Sequence, residues 1–410
     1  MATTTNQRRC QRQHLGIFWT MVMQAIVIYN ELRRRARHLP RAPHTNWNSE
    51  REITLTRMFG TSDTICRDLL RMKIGPFQRL CARLRSYGLV DSKYVRIEEQ
   101  VAIFLNTVGH DQRNRVGHFT FFCFGQTVSF YFHRVLHACL GLYRDVVINA
   151  TPHNSPYEKE NVQPWYSFFQ DAVGAIDGTH IAAYVPLEEQ GKYRNRMQVI
   201  SQNVLVACTF DMKFTYVLVG WEGSAHDGRL LRSAILRQGH KLTIPIGKYY
   251  LVDAGFPSVS GFLAPYRRTR YHHRDIEGQR PESSKELFNF RHSSLHNVIE
   301  RTIGLLKKRF AYLRHQPYHN IDTQAKIVLA CSAIHNFLRT DDVEDVCEED
   351  DLDSSDDEVN PTHIDVPEDE TPNAHISFTN QEVWSNKRNA IADLMWADYL
   401  PNQNAGIDFD

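Results

Sequence analysis

The chain has 410 residues, which is too long for one ordinary hydrophobic core and indicates two or more folded units. Hydrophobic residues make up 42% and charged residues 23%, a composition typical of soluble globular proteins. Its eight cysteines form no CxxC pair, which excludes a zinc ribbon and a disulfide scaffold and predicts a reducing compartment.

The net charge of +1 is distributed very unevenly along the chain. Residues 341–410 contain 21 Asp and Glu against Lys387 and Arg388, which leaves 46 Lys and Arg and 26 acids in residues 1–340. The net charge of +20 on residues 1–340 predicts a polyanionic partner, most simply nucleic acid.

Residues 1–50 combine an apolar run, Leu15–Tyr29, with a basic cluster from Arg33 to Arg41. The run has 15 residues, fewer than the roughly 20 that a spanning helix needs, and no signal-peptide cleavage site follows it. We therefore expect no membrane association and a helix packed on the body. The basic cluster is equally consistent with a nuclear localisation signal, a phosphate contact and a solvated charged stretch.

Residues 51–150 are predicted to form a helical, helix-turn-helix-like domain. Apolar residues recur in two runs at the spacing of one buried helix face, with a break around Gly109–Gly117. The second helix, around Thr127–Leu136, would read the major groove of DNA, but any small helical bundle has the same pattern. The connector His118–Phe124 is more aromatic than a DNA-reading turn would be. The two runs are Ile97, Val101, Phe104, Leu105 and Val108, then Val128, Phe132, Val135 and Cys139.

Residues 151–340 change to an α/β pattern with four strand-like segments rich in Val, Ile, Tyr and Phe. Asp211–Lys213 predicts a hairpin turn between the second and third segments. A short helix precedes the fourth segment, and a long helix, Ser293–Phe310, comes later. This order predicts an α/β fold with a mixed sheet and flanking helices. The four segments are Ala172–Val185, Asn203–Phe210, Phe214–Trp221 and Lys248–Phe256.

Residues 341–410 are predicted to form an acidic, disordered tail. Asp341–Glu358 holds 12 acids in 18 residues, so it cannot bury a core. A short helix, Trp384–Tyr399, follows and keeps enough apolar residues to dock elsewhere.

Three acids stand in apolar surroundings: Asp177 and Asp253 follow strand-like runs, and Glu300 lies in the long helix. A buried carboxylate is costly unless it is paired or binds a cation, and neighbouring acids favour a divalent ion. Each acid alone has an ordinary explanation: a turn cap, a strand-end acceptor, or an ion pair with Arg301 or Lys307. Together they match the placement of catalytic acids in ribonuclease-H-like nucleases.

Four ordered motifs resemble the PIF/Harbinger superfamily of DDE transposases. Within it, the chain is similar to Harbinger transposase-derived nucleases and to plant antagonist-of-like-heterochromatin-protein-type relatives. The motifs are AIDGTHI around Asp177, GWEGSAHDGRLL around Asp227, YYLVDAGFP around Asp253 and VIERTIGLLKKRF around Glu300, and weaker similarity covers Glu98–His110, Thr127–Leu136 and Lys387–Tyr399.

The resemblance implies a ribonuclease-H-like domain whose triad, Asp177, Asp253 and Glu300, holds Mg²⁺ or Mn²⁺ and cleaves DNA phosphodiester bonds. Asp227 is either an accessory metal ligand or the N-cap of a short helix. The family also implies a nuclear location, a Myb-like DNA-binding partner protein, and DNA at transposon ends or in chromatin; an oligomer is compatible with the sequence. The alternative is a domesticated, non-catalytic DNA- or chromatin-binding regulator.

Two basic groups are candidate DNA contacts. Arg267, Arg268 and Arg270 lie between the second and third acids, and Lys307, Lys308 and Arg309 follow Glu300 on the long helix. Phosphate contacts supply most non-specific DNA affinity, so either group could hold the DNA backbone near the acids. A solvated surface is the alternative for both.

Overall fold

The computed structural model describes residues 21–32, 47–154, 164–256, 258–269, 280–341 and 381–404. The chain divides into two compact units, residues 1–50 and 51–410. In the first unit, residues 21–32 form helix α1. Residues 15–20 of the predicted apolar helix, the basic cluster at 33–41 and the acidic segment at 342–380 lie outside the described residues. No helix within the described ranges is long and apolar enough to cross a membrane.

The predicted apolar faces of residues 97–110 and 127–139 are confirmed, since all nine of their apolar side chains are buried. The predicted break around Gly109–Gly117 is confirmed in part, at residues 111–113. Asp111 adopts a left-handed conformation that ends one helix, and a further helix begins at Asn114 and extends into the aromatic connector. The described helices before the sheet are α2 (Trp47–Phe59), α3 (Asp63–Leu70), α4 (Ile74–Arg85), α5 (Ile97–His110), α6 (Asn114–Thr120) and α7 (Gly125–Val146).

A five-stranded sheet in the order β3-β2-β1-β4-β5 follows. Strands β1 to β3 pair antiparallel, whereas β4 and β5 run parallel to β1, so the predicted mixed sheet is confirmed. A two-residue fifth strand is too short for a sequence pattern to mark. The elements are β1 (Ala172–Ala182), α8 (Gln190–Tyr193), β2 (Ser201–Cys208), β3 (Phe214–Glu222), α9 (Asp227–Leu236), β4 (Tyr249–Val252) and β5 (Phe262–Leu263).

Three long helices complete the described chain: α10 (Ser284–Arg309), α11 (Ile321–Asp341) and α12 (Gln381–Asn404). Helix α10 begins nine residues before the predicted start, because the Ser283 side chain caps it by accepting from the Glu286 N–H at 3.3 Å. Helix α12 contains the predicted Trp384–Tyr399 segment and is longer at both ends.

The helices before the sheet and the sheet itself share one buried core. The Tyr143 hydroxyl on α7 donates to the Val217 carbonyl on β3 at 3.4 Å, and the Arg309 guanidinium on α10 donates to the Arg71 carbonyl at 2.8 Å. The opposite face of the sheet packs on α9. The predicted division of the chain near residue 150 therefore lies within one packed unit, and it stays a prediction.

Gly174 on β1 makes the closest backbone approach in the sheet. Its φ is +155°, and a Cβ atom there would lie 1.8 Å from the Cys208 carbonyl oxygen on β2. Because backbone cannot yield to a side chain at that distance, we expect Gly174→Ala to reduce the free energy of unfolding by about 4 kcal/mol or more. Urea denaturation followed by circular dichroism measures the change.

Gly125→Ala is the matched control, since a Cβ atom added at this residue, the first of α7, would meet nothing within 4 Å. This control should unfold within about 0.5 kcal/mol of the wild type or become more stable. Wild-type stability of the Gly174→Ala protein would contradict the close approach.

Candidate active site

The two predicted strand acids stand side by side. Strands β1 and β4 are parallel neighbours in which Ile176 pairs with Val252, so Asp177 and Asp253 each follow directly at the same level of the sheet. Asp177 is half-buried, and Asp253 is 5% exposed. Asp253 accepts a hydrogen bond from the Gly255 N–H at 2.9 Å, which fixes one carboxylate oxygen.

The third acid at this end of the sheet is Asp227, the first residue of α9. The N-cap of α9 is His226, so the interpretation of Asp227 as the cap is wrong. Its Oδ1 accepts from the Asn203 side-chain amide at 2.9 Å, and the same oxygen lies 2.4 Å from where Gly178 would carry a Cβ. The Asp227 carboxylate therefore packs against Gly178, the residue after Asp177.

Glu300 approaches the site from α10 and is exposed. One turn earlier on α10, the buried ring of His296 places its Nε2 3.1 Å from the carbonyl oxygen of Ile176, the residue before Asp177. Positions four apart share a helix face, so this contact holds the face that carries Glu300 against the strand that carries Asp177.

The pKa of Asp177 reflects the charges of the other three acids. Burial raises the pKa of Asp177 well above its ordinary value, and the negative charges of Asp253, Asp227 and Glu300 raise it further, in that order. The Gly178 N–H, which donates to Asp177 at 2.7 Å, acts in the opposite direction. Like charges have this effect only at short range.

The chemical type of these donors, though not their arrangement in the described residues, fits a divalent cation. Mg²⁺ and Mn²⁺ prefer carboxylate oxygens, and a bound cation relieves the repulsion that raises the pKa of Asp177. Among the described residues, no group of three or more His, Cys, Asp or Glu side chains is arranged so that it could hold a metal ion. The acids thus approach one another without forming a complete coordination shell.

Of the predicted DNA contacts, Lys307 lies nearest to Asp177. Its ammonium group donates to the Thr179 hydroxyl at 2.9 Å and to the His180 carbonyl at 3.1 Å, at the end of β1 beyond Asp177. Lys308 is half-buried on the same helix. The prediction that Arg309 contacts DNA is wrong. Its side chain is 6% exposed and donates to the Arg71 carbonyl, so it joins two parts of the fold.

The other basic group borders Asp253. Arg267 and Arg268 are exposed, and the Arg267 guanidinium donates to the Ala254 carbonyl at 3.1 Å, one residue beyond Asp253. Arg270 lies outside the described residues. Lys307 and Arg267 thus place positive charge close to Asp177 and close to Asp253, respectively.

Sequence reasoning missed Asn203, which orients Asp227, and Arg196. A guanidinium nitrogen of exposed Arg196 lies 2.9 Å from the His226 ring, directly before Asp227. No motif marked these residues, because their positions depend on which strands and loops pair.

Comparison with known proteins identifies the family that the sheet region resembles. Residues 176–336 match the family described as DDE superfamily endonuclease. The matched segment starts one residue before Asp177 and includes all four acids. The match supports the resemblance of this segment to Harbinger-derived DDE nucleases. The ribonuclease-H-like fold class predicted from the sequence is thereby confirmed. Residues 49–141 match a family described only as a domain of unknown function.

Individual relatives share this region at low identity. The rat protein named "Putative nuclease HARBI1" (Rattus norvegicus) is 30% identical over 169 residues, 40% of this chain and 45% of its own length. Its human counterpart (Homo sapiens) is 29% identical over the same shares. An Arabidopsis thaliana "Protein ALP1-like" is 25% identical over 183 residues, 40% of this chain and 42% of that protein. The matches thus cover less than half of each relative, and no solved structure matches the chain.

The close approach of Gly178 to Asp227 gives a test of the site. A methyl group at residue 178 would displace the Asp227 carboxylate from Asn203, so we expect Gly178→Ala to reduce DNA cleavage by about 10- to 100-fold while the protein still folds. Initial rates of metal-dependent nicking measure the effect.

Gly228→Ala is the control beside it, because a Cβ atom added at this position on α9 would have no neighbouring atom within 4 Å. It should cleave at the wild-type rate. Equal rates for both variants would show that the position of Asp227 does not matter for cleavage.

Proposed function

We propose that the chain is a metal-dependent DNA nuclease of the Harbinger type, with Asp177, Asp253 and Glu300 as its catalytic triad. The observation that carries the proposal is the adjacency of Asp177 and Asp253 on parallel strands, with Asp227 beside them, in a segment that matches the DDE superfamily endonuclease family. Neighbouring carboxylates repel one another, which destabilises the metal-free protein. Together with burial, this repulsion raises the pKa of Asp177, and shifted pKa values of this kind concentrate at functional sites.

Each acid has a distinct part in the proposal. Asp177 and Asp253 present neighbouring carboxylates from the sheet, Glu300 approaches from the helix side, and Asp227 is an accessory ligand steadied by Asn203. A bound Mg²⁺ or Mn²⁺ would supply Lewis acidity at the phosphoryl oxygen and lower the pKa of water there. The carboxylates of Asp177 and Asp253 would orient this cation. Each accepts one backbone hydrogen bond, which fixes the group and leaves its other oxygen positions for the metal.

The DNA backbone is held, in the same proposal, by Arg267 and Arg268 on one side and by Lys307 and Lys308 on the other. Lys307 and Arg267 each use main-chain carbonyls as anchors within a few residues of an acid, so their charge is fixed close to the scissile phosphate. Fixed cations near the site also stabilise the charge that develops during phosphoryl transfer.

The second candidate function is a domesticated transposase that binds DNA or chromatin without cutting it. It is favoured by one observation: no group of three potential ligands among the described residues is arranged to hold an ion. The nuclear location and the Myb-like partner belong to both candidates and rest on the family resemblance.

The decisive experiment compares wild type and Asp177→Ala on labelled DNA with Mg²⁺, Mn²⁺ or EDTA, with the Myb-like partner supplied. Products from the wild type with metal, and from neither the variant nor the EDTA reaction, support the nuclease. Cleavage by Asp177→Ala at the wild-type level would contradict it. Wild-type binding without any product would favour the non-catalytic regulator.

A further inference from the structure

An exposed aromatic surface lies where α6 meets α7, outside the acid cluster. It consists of Phe119 on α6, Phe124 in the connector and Phe130 on α7, which are 68%, 79% and 57% exposed. Phe119 and Phe124 lie beside the same histidine ring, and exposed rings grouped in this way mark an interaction surface. This is the aromatic connector that did not suit a groove-reading turn.

Two of these rings are held in place before any partner arrives. The His118 ring lies between them, 5.0 Å from Phe119 edge-on and 6.3 Å from Phe124 at an interplanar angle of 23°. The His118 Nδ1 is hydrogen-bonded to the Cys123 carbonyl, which fixes the central ring of the row. A row ordered in advance loses little conformational freedom when a planar group stacks on it.

The charge around the aromatic surface fits a polyanion. Residues 112–144 contain no Asp or Glu, whereas Arg113 and Arg115 precede Phe119 and Arg134 follows Phe130. The Arg134 guanidinium lies 5.8 Å from the Phe130 ring centroid, so a cation accompanies an exposed ring directly. Aromatic faces beside arginine are a combination that binds nucleobases and phosphates together.

The aromatic surface is connected to the strand that carries Asp177. In the loop at residues 314–320, Tyr318 lies under the Arg113 guanidinium, 4.1 Å from it. Two residues earlier, the Gln316 amide donates to the Ala183 carbonyl at 3.3 Å, just beyond the end of β1. One short loop thus contacts both α6 and the end of β1, six residues from Asp177.

We propose that the aromatic surface binds single-stranded DNA, with unpaired bases stacked on Phe119 and Phe124 and phosphates held by Arg113 and Arg115. Duplex bases already stack on one another, so exposed rings stack most readily on bases that have left the duplex. A polar helix face would serve to read a groove, whereas phenylalanine supplies no hydrogen bond to a base edge. The site is separate from cleavage and needs no metal.

The test measures binding of the full chain to a fluorescent 20-nucleotide single strand and to the same sequence as a duplex, by anisotropy in EDTA. The double variant F119L/F124L keeps apolar bulk but removes the aromatic faces. We expect its Kd for the single strand to rise at least about fivefold, and its Kd for the duplex to change less than about twofold.

Two controls separate stacking from general contact. F119Y/F124Y retains the rings and should bind the single strand like the wild type, whereas R115Q should weaken binding to both DNA forms because it removes a phosphate contact. Unchanged single-strand affinity of F119L/F124L would overturn the proposal and leave a protein as the occupant of the surface. Equal losses on both DNA forms, or equal losses for the Leu and Tyr variants, would overturn it as well. Because no cleavage is measured, failure here leaves the proposed nuclease untouched.

Discussion

Asp253→Asn is expected to lose metal-dependent DNA cleavage by about 1,000-fold or more without losing stability. The activity falls because a neutral amide is a poor ligand for a hard cation, and metal assistance contributes several kcal/mol to the barrier. The stability of the metal-free protein stays equal or rises by about 1 kcal/mol, because Asp253 is the charge that most strongly raises the pKa of Asp177. The new amide oxygen still accepts from Gly255.

Cleavage rates and urea denaturation in EDTA are measured on the same preparations. Asp171→Asn is the matched control, since Asp171 precedes β1 but forms surface ion pairs with Lys248 and Lys387 at 3.3 and 3.2 Å. That variant should cleave normally and lose at most about 1 kcal/mol of stability. A marked loss of stability in Asp253→Asn would instead assign Asp253 a structural role.

The second large effect is acid destabilisation through His335, which lies on α11 against the sheet. Its Nε2 donates to the Met212 carbonyl at 2.8 Å, and burial together with the charges of Arg309 and Arg339 lowers its pKa from 6.5 to about 3. In the unfolded chain, His335 therefore binds a proton below pH 6.5, whereas in the folded chain it binds one only below about pH 3. Stability falls over this interval, by about 2 kcal/mol at pH 5 from this residue.

The measurement is the free energy of unfolding at pH 7 and pH 5 for wild type, His335→Gln and His137→Gln. His335→Gln should lose about 2 kcal/mol less than the wild type between the two pH values. His137 is exposed on α7, so its variant should follow the wild type. Parallel behaviour of all three proteins would show that His335 is not the group responsible.

The sheet and the strand acids were predictable because their signals are local. Strands β1 to β4 coincide with runs of branched and aromatic residues, and Asp177 and Asp253 interrupt or end such runs. Helix α11 was not predicted, since it is buried on most sides and has no polar face to create a period. The start of α10 was missed for a related reason: its buried residues there include Asn289, Arg291 and His292.

The rest of the site depends on contacts between distant segments. Asn203 reaches Asp227 only because β2 pairs beside β1, and no spacing along the chain records that distance. Arg309 looked like its neighbours Lys307 and Lys308, yet the helix turns it toward Arg71 and buries it. Residue type alone cannot separate a cation that holds the fold together from one that faces a ligand.

Helix α12 must be synthesised before the segment that follows β5 has all of its contacts. Arg388 donates to the Ala264 and Pro265 carbonyls at 3.2 and 3.1 Å, and Asn389 accepts from the Tyr266 hydroxyl at 2.7 Å. These contacts cover the segment between β5 and Arg267. A ribosome-bound chain that has emerged only as far as α11 lacks them, so the neighbourhood of Asp253 gains its final support only after α12 has left the exit tunnel.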